Sequence, residues 1–490
     1  MSESNEIALA ALRKMRETEG PKAIFPSDKI WSYAVAPPGS NFRPSAITWL
    51  SREKYIEPTG RVTNAVTEAR AGSKTPEYRF GNRFDNDEGS MDDNSATDIS
   101  TIVPDFQSSC DPVLRVTKAQ ILRLAASLLA KRFVILTGLA GSGKTKLAQA
   151  FAHWLSEVDG ANPSHAVVPI GADWTGNENI LGYPDGLTAG QYVSRQALQL
   201  VLAAGSNPEI PHFLILDEMN LSHVERYFAD TLSAIESGER IPLYEGNSRK
   251  TGEQDIPSSL ALPPNLFIIG TVNVDETTYM FSPKVLDRAN VIEFRIERAG
   301  LKSFLATPAK PDLAKLDGLG ASFAKAFVTA AASTVEVPTA IKARYESEMI
   351  LFFDILREHD AEFGFRVGHE SARFVHFYQM LGGFADGTDW FDEAFDAVIV
   401  QKFLPKLHGS RSKLEGLLWA LAWVCAADRT GKSDEDFLKE CQTAGKAQDD
   451  GKFSPETLAT KKPRYPLSFD KVLRMWRKLV RDQFVTFAEA

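Results

Sequence analysis

The sequence predicts an α/β protein whose core is a parallel β-sheet with helices packed on its faces. Five short apolar segments have the composition of buried strands, and stretches with helical patterns separate them, an alternation typical of parallel sheets. They lie at residues 133–136, 165–170, 212–216, 266–272 and 290–294. Beyond residue 298 strand patterns become rare and long helical patterns dominate. These patterns predict a helical lid and C-terminal extension after the core.

The first apolar segment runs into a glycine-rich loop and then into a helix. Gly138, Gly143, Lys144 and Thr145 satisfy the phosphate-loop pattern G-x-x-x-x-G-K-[ST]. Glycines let backbone N–H groups converge on phosphate oxygens, and the helix N-terminus adds the positive end of its dipole. Lys144 would neutralise the β and γ phosphates, and the Thr145 hydroxyl would hold Mg²⁺. The candidate binding residues are Gly138, Gly141, Ser142, Gly143, Lys144 and Thr145. The structural alternative is an ordinary strand-turn-helix connection.

Two carboxylates follow a fully apolar segment further along the chain. Asp217 and Glu218 come directly after 213–216, where the chain would leave the carboxyl edge of the sheet beside the phosphate loop. This is the pattern of a Walker B element, in which Asp217 would orient Mg²⁺ and Glu218 would polarise the attacking water. The alternative is a solvated Asp-Glu turn after a buried strand.

Two further residues are candidates for the same chemistry. Asn273 follows the apolar segment 266–272, a position from which its side chain can reach a γ-phosphate and the attacking water, so we assign it as sensor 1. Arg288 follows a short helical stretch at the edge of the core and is the candidate arginine finger, acting on nucleotide bound to a neighbouring subunit. A helix cap or an intrachain ion pair is the alternative for Arg288.

The chain before the phosphate loop divides by charge. Between residues 41 and 83, eight basic residues face four acidic ones, a net charge of +4. We predict a small α+β, winged-helix-like module over residues 1–84, recognising nucleic acid or another ligand through Arg61, Lys74 and Arg79. A solvated face on a protein-binding domain explains the charge equally well. Residues 85–111 hold eight acids and no Lys or Arg, which predicts a flexible acidic linker over 85–112. The core would then span 113–299 and the helical part 300–490.

Composition restricts the class of protein. The chain has 490 residues, a net charge of −9 and three cysteines without a disulfide or metal-ligand spacing. These features favour a soluble protein of a reducing compartment with only local nucleic-acid contacts. No secretory signal pattern or apolar run long enough to span a bilayer is present in the sequence, so we expect a cytoplasmic protein without membrane contact.

Two hairpin-like segments interrupt the core. One spans residues 181–193 around an Asp-Gly turn, and the other begins at 241–244 and turns near 247–250. Either could line the central pore of a ring, where Tyr183, Tyr192, Arg249 and Lys250 would contact a threaded polymer. Packing contacts within the ring are an equally good explanation of these residues.

The order of these motifs resembles the AAA+ subunit of McrB-type modification-dependent restriction systems. The resemblance rests on the phosphate loop, Asp173-Trp174 with Leu181-Gly182-Tyr183, Leu216-Asp217-Glu218-Met219-Asn220, and Gly270-Thr271-Val272-Asn273-Val274-Asp275. It covers residues 113–300, and the segments 364–369 and 404–410 look similar to lid segments of McrB-like proteins. The family's Asn-x-x-Asp signature is altered, because Asp275 and Glu276 follow Asn273 at the second and third positions.

The resemblance implies a ring, commonly a hexamer, that hydrolyses GTP and drives a separate McrC-like nuclease subunit. AAA+ relatives mostly use ATP, so ATP and GTP both remain candidates. We find no acid followed at suitable spacing by Glu-x-Lys on adjacent predicted strands, so the nuclease should lie in the partner. DNA would be contacted through the N-terminal module or the ring pore. Two other functions compete: a MoxR-like ATP-dependent protein-remodelling chaperone and a nucleotide-binding regulatory switch.

Overall fold

The computed structural model describes most of the chain from residue 98 onward and separate short segments before it. The described residues are 7–8, 10–15, 24–26, 30, 34, 47, 50, 56–64, 74–80 and 98–490, the last range without 112, 157–163, 275–278, 280, 297, 307–309, 386–389, 447–457 and 459–461. The chain forms two compact units, Met1–Ala96 and Thr97–Ala490.

The first unit contains a helical segment and a small antiparallel sheet. Residues 10–15 are helical, and the sheet places the strand Lys74–Phe80 between Ile24–Pro26 and Ile56–Asn64. The sequence Glu77-Tyr78-Arg79-Phe80 predicts a strand, and the strand in the structure covers these residues and begins three positions earlier, at Lys74. The sequence of residues 64–69 predicts a helix, but Asn64 lies in a strand, and residues 65–69 lie outside the described segments. An antiparallel sheet with a preceding helix is an α+β arrangement.

The predicted linker meets a buried helix in its second half. Residues Ile102–Cys110 form an α-helix whose Ile102, Val103 and Phe106 are buried in the main core. The Phe106 ring lies 5.2 Å, centroid to centroid, from the rings of both Phe151 and Trp154. The prediction of a flexible linker through residue 112 is wrong for this stretch, because an apolar face with helical spacing is buried despite the acidic composition around it.

The five predicted strands form one parallel sheet, as predicted. In chain order they are β1 (Phe133–Gly138), β2 (His165–Pro169), β3 (His212–Asp217), β4 (Leu266–Asn273) and β5 (Asn290–Glu293). Their order across the sheet is β5-β1-β4-β3-β2, and every neighbouring pair is parallel. All six residues of β1 are buried, because helices cover both faces of the sheet.

Helices connect the strands and complete the core. The helix Lys118–Ala130 begins with a capping box between Thr117 and Gln120 and leads into β1. The helices that follow β1 along the chain, up to the one that begins at Arg298, are Lys144–Leu155, Glu178–Leu181, Gln196–Ser206, Val224–Tyr227, Ala229–Ser237, Pro283–Leu286 and Arg298–Ala306.

The first predicted hairpin is present, whereas the second turns later than predicted, between Thr251 and Gln254 rather than near residues 247–250, and the two hairpins contact each other. Gly182–Pro184 pairs antiparallel with Tyr192–Ser194, and Arg249–Thr251 pairs with Gln254–Ile256. The pair Ile241–Pro242 and Ser259–Leu260 forms the base of the second hairpin. The Lys250 amide donates 2.9 Å to the Gly190 carbonyl, which joins the hairpins.

The C-terminal half is helical and belongs to the same compact unit as the sheet, without a division near residue 299. Its helices are Ala324–Ala332, Lys342–Arg357, Phe365–Gly382, Phe391–Val398, Arg411–Ala426, Asp434–Lys446 and Pro466–Asp482. A short antiparallel pair, His408–Ser410 with Phe484–Thr486, closes it. Within the described part of the chain, no helix has both the length and the apolar character needed to cross a bilayer.

Buried charges join the C-terminal half to the sheet. Glu370 forms ion pairs with both Lys131, which precedes β1, and Lys402. Lys402 also donates a 3.0 Å hydrogen bond to the carbonyl of Ala289, just before β5. Burial lowers the pKa of Lys402 to about 7, against the opposing effect of Glu370. Two helical segments of the C-terminal half are therefore tied to the amino ends of β1 and β5.

Candidate functional site

The phosphate loop leaves the carboxyl end of β1 and enters the helix Lys144–Leu155. A Cβ atom at Gly138 would lie 2.3 Å from the carbonyl oxygen of Phe294, so backbone packing there admits only glycine. Gly141 and Gly143 have φ values of +70° and +96°, the left-handed region that glycine adopts without strain. Nothing lies within 4 Å of a Cβ built at Gly141, so the outer side of the loop is open to a ligand.

Lys144 folds back over the loop at the start of that helix. It is 4% exposed, and its Nζ donates to the carbonyl oxygens of Gly138 at 2.9 Å and Leu139 at 2.6 Å. A third contact, 3.3 Å long, reaches the Ser142 hydroxyl. The ammonium group is thus held among the loop residues, at a helix N-terminus where a phosphate would bind.

Thr145 and Asp217 meet across the edge of the sheet. The Thr145 Oγ1 donates a 2.7 Å hydrogen bond to the Asp217 Oδ1, although the two residues are 72 positions apart. Asp217 is the last residue of β3. A hydroxyl and a carboxylate beside a phosphate loop are hard oxygen donors of the type that Mg²⁺ prefers, so these two residues fit the predicted metal ligands.

Glu218 follows in an uncommon backbone conformation. Its φ is +55°, one of three positive values among the described non-glycine residues. The Asn273 amide donates a 3.0 Å hydrogen bond to its carboxylate Oε1. The structure therefore places Lys144, Thr145, Asp217, Glu218 and Asn273 on the carboxyl edge of neighbouring strands β1, β3 and β4.

Two residues to which the sequence analysis assigns no role support these side chains. Thr271 is 2% exposed, donates to Asp217 and accepts from the Glu218 amide. Asn220 donates a 3.1 Å hydrogen bond to the carbonyl of Asn273. The available signal for Thr271 was its place two residues before Asn273, because alternate residues of a strand share a face.

Arg288 lies at the opposite edge of the sheet from the phosphate loop. It precedes β5, whose first residue, Asn290, pairs with Val134 near the amino end of β1. The phosphate loop follows the opposite end of β1, so a single chain does not bring Arg288 to Lys144. The Arg288 guanidinium instead donates to the carboxylate of Glu236. Within one chain Arg288 therefore forms an intrachain ion pair, the alternative given above for this residue.

Glu236 binds a second arginine as well. Arg366 donates a 2.6 Å hydrogen bond from Nη1 to the other oxygen of the same carboxylate, and its Nη2 forms an ion pair with Asp287. The hydrogen bond from Arg288 is the main reason that the pKa of Glu236 lies below its usual range, and the Arg366 charge adds to it. Two guanidinium groups therefore share one carboxylate on this side of the unit.

The four residues proposed for a pore differ in exposure. Tyr192 is buried, and Arg249 donates 3.2 Å to the Gln191 carbonyl while its guanidinium lies 5.6 Å from the centre of the Tyr244 ring. Both residues pack the hairpins together, and the buried Tyr192 is not available to contact a polymer in this conformation. Tyr183 and Lys250 remain exposed. Asp275 and Glu276, the acids of the altered signature, lie outside the described residues.

The loop, the carboxylates after β3 and the parallel sheet are the features of a phosphate-loop α/β fold. A protein-family profile described as "Domain of unknown function (DUF8727)" matches residues 316–484, in the helical half. No curated protein matches the chain. A crystal structure of a candidate ATPase from Cytophaga hutchinsonii ATCC 33406 is similar over 74% of this chain and 98% of its own, with 13% identity and a TM-score of 0.45. These comparisons assign no activity, so any assignment of function has to be argued from the residues of the site.

Proposed function

We propose that this protein is an AAA+ nucleoside triphosphatase. The observation that carries the proposal is the convergence of Thr145, Asp217, Glu218 and Asn273 beside the phosphate loop, joined by hydrogen bonds of 2.7 Å and 3.0 Å. A site that only binds nucleotide would not need Glu218, whose carboxylate is held by the side-chain amide of Asn273 at the end of β4. The sheet order, with β1 between β5 and β4, and the helices after the sheet support the AAA+ class.

Each residue has a defined part in the proposed hydrolysis. The backbone of the loop and Lys144 would hold the β and γ phosphates, while Thr145 and Asp217 would hold Mg²⁺. When bound, Mg²⁺ offsets charge that develops on the phosphate oxygens. Glu218 would accept a hydrogen bond from the attacking water and orient it, and Asn273 would keep the Glu218 carboxylate in line. Catalysis of this kind depends on positioning and electrostatics.

The site would be completed between copies of the chain. Arg288 cannot serve its own phosphate loop from the opposite edge of the sheet, but it could reach the nucleotide of a neighbour in a ring. A guanidinium there would stabilise charge on the transferred phosphoryl group. We therefore propose a homo-oligomeric ring, with a hexamer as the stoichiometry that the McrB resemblance implies.

We further propose that the ring is the motor of a McrBC-like antiphage restriction system in the cytoplasm. Support comes from the order of its motifs and from the local positive charge of residues 41–83. The N-terminal module or the pore would contact DNA, and hydrolysis would drive translocation and a McrC-like partner nuclease. ATP and GTP are both candidate substrates, because Asn273 is followed by an altered signature.

The proposal is tested by measuring turnover of ATP and of GTP by the purified full chain. Each assay is repeated with duplex DNA and with the product of any adjacent nuclease-like gene. Turnover that Lys144→Ala abolishes, and that DNA or the nuclease-like protein stimulates, supports a restriction motor. Stimulation by unfolded protein instead would favour the MoxR-like chaperone. Tight nucleotide binding without turnover under all conditions would favour the regulatory switch and contradict the proposal.

A further inference from the structure

We infer that Thr271 is a positioning residue for hydrolysis, holding the metal-binding acid and the water-activating acid in fixed relation. The inference rests on the proposed function, because it assigns a role within the same site. Its basis is a pair of hydrogen bonds made by one buried hydroxyl. The Thr271 Oγ1 donates 2.7 Å to the Asp217 Oδ1, and it accepts 3.1 Å from the amide nitrogen of Glu218.

The register of the sheet explains why a residue of β4 can do this. β4 runs parallel to β3 with Gly270 opposite Leu216, so Thr271 lies beside the point where β3 ends at Asp217. Residues 271 and 273 point to the same face of their strand. β4 therefore contacts Glu218 twice, through Thr271 at its backbone and through Asn273 at its carboxylate.

The backbone at Glu218 gives this contact a specific purpose. A left-handed conformation at a non-glycine residue is unfavourable and persists where the surroundings hold it in place. Glu218 has φ +55° and ψ +49°, and its amide is held by the Thr271 hydroxyl. Without that acceptor the backbone would be less restrained, and the carboxylate would lose its defined position relative to the phosphate loop.

Proton counting supports a role toward the metal site as well. A hydroxyl has one proton to donate and two lone pairs to accept with. Both Thr271 and Thr145 direct their protons to the Asp217 Oδ1, which fixes that carboxylate from two sides. The lone pairs of Thr145 are then oriented away from Asp217. Thr271 thus orients the Asp217 carboxylate, and Thr145, the proposed metal ligand, donates to that same carboxylate.

The decisive comparison is between Thr271→Val, which removes the hydroxyl and keeps the branched shape, and Thr271→Ser, which keeps the hydroxyl. Thr231→Val is the matched control, because Thr231 is a buried threonine of the helix Ala229–Ser237 outside the site. For each full-length variant, kcat, KM, nucleotide affinity and melting temperature are measured. We expect Thr271→Val to lower kcat by roughly tenfold to a hundredfold, the scale of a small misplacement of a reacting group. Nucleotide affinity should change little, and Thr271→Ser should restore most of kcat.

A double-mutant cycle separates a positioning role from general damage. If Thr271 acts through Glu218, adding Thr271→Val to Glu218→Gln should lower kcat by much less than it does in the wild-type background. Wild-type kcat in Thr271→Val, equal losses in Thr271→Val and Thr231→Val, or full additivity with Glu218→Gln would each overturn the inference.

The same series distinguishes this inference from the function on which it rests. If the wild-type protein turns over nucleotide and Glu218→Gln does not, the proposed function stands whatever Thr271→Val shows. If the wild-type protein has no turnover under any condition, the proposed function and the role of Thr271 fail together. Failure of Thr271→Ser to rescue a folded protein would exclude the hydroxyl as the cause.

Discussion

The guanidinium of Arg288 donates a hydrogen bond from Nε to the Glu236 Oε2, and its Nη2 forms an ion pair with the same oxygen. In an isolated chain this ion pair occupies the arginine that we propose for the site of a neighbouring copy. Arg366 binds the same carboxylate, so Glu236 retains a cationic partner when Arg288 leaves. On ring assembly, Arg288 would thus leave Glu236 and bind a phosphoryl group of the neighbouring copy's nucleotide.

Replacing Arg288 tests action in trans. We expect Arg288→Ala to lower turnover by a factor on the order of 10³, as loss of an arginine finger does, while each chain still binds nucleotide. Mixed with Glu218→Gln chains, it should regain turnover, since some interfaces would then combine an intact Glu218 with an intact Arg288. Turnover is measured across mixing ratios, with ring formation checked by light scattering. Rings that form without regaining activity would remove the finger role from Arg288.

Removing the charge of Glu236 should release the arginine. Surface ion pairs are worth about 0.2–1 kcal/mol, so Glu236→Gln is expected to raise turnover by at most about fivefold at limiting protein concentration. Glu239→Gln, an exposed acid just after the same helix, is the control. The gain should vanish in an Arg288→Ala background. Unchanged turnover in Glu236→Gln at every protein concentration would show that the ion pair does not compete with assembly.

Lys144→Ala should weaken nucleotide binding. Hydrogen bonds to charged groups contribute about 1.5–3 kcal/mol, which corresponds to a loss of roughly 10- to 150-fold in affinity. The neighbouring exposed residue supplies the comparison, because Lys146→Ala removes an equal charge from the same helix turn without touching the loop. Titration with a fluorescent nucleotide measures both. Equal affinities for the two variants would contradict the phosphate-loop assignment.

Glu218→Gln should separate binding from hydrolysis. The amide keeps the shape of the side chain but cannot accept a proton, so turnover should fall by about 10² to 10⁴ while affinity stays close to wild type. Binding titration and single-turnover hydrolysis are measured on the same preparation. Near-normal hydrolysis in this variant would remove the general-base role from Glu218.

The N-terminal unit should account for part of any DNA binding. Deletion of residues 1–96 is expected to weaken binding of duplex DNA and to preserve basal nucleotide turnover. In the full chain, replacing Arg61, Lys74 and Arg79 together by Gln should reduce the salt dependence of binding between about 50 and 200 mM salt. Fluorescence anisotropy measures both effects. DNA affinity and salt dependence that stay unchanged in both proteins would exclude these residues from DNA recognition.

The strands and the residues of the phosphate loop could be predicted because the sequence patterns that indicate them are local. Five apolar segments, the glycine spacing and the acids after β3 each occupy a few consecutive residues, and their order restricts the fold to a parallel sheet. The composition around the helix Ile102–Cys110 predicts a linker instead, because acids dominate it. The buried apolar face of this helix, with Ile102, Val103 and Phe106, was the stronger signal.

The partners of the site residues depended on packing between distant parts of the chain. Thr271 meets Asp217 because β4 lies beside β3, and Arg288 meets Glu236 because the turn before β5 lies near the end of the helix Ala229–Ser237. Motif spacing is enough to identify a nucleotide loop and its acids, since backbone geometry over a few residues creates both. Which side chains orient those acids, and which edge of the sheet Arg288 occupies, follow from strand register and long-range burial, which no local pattern in the sequence records.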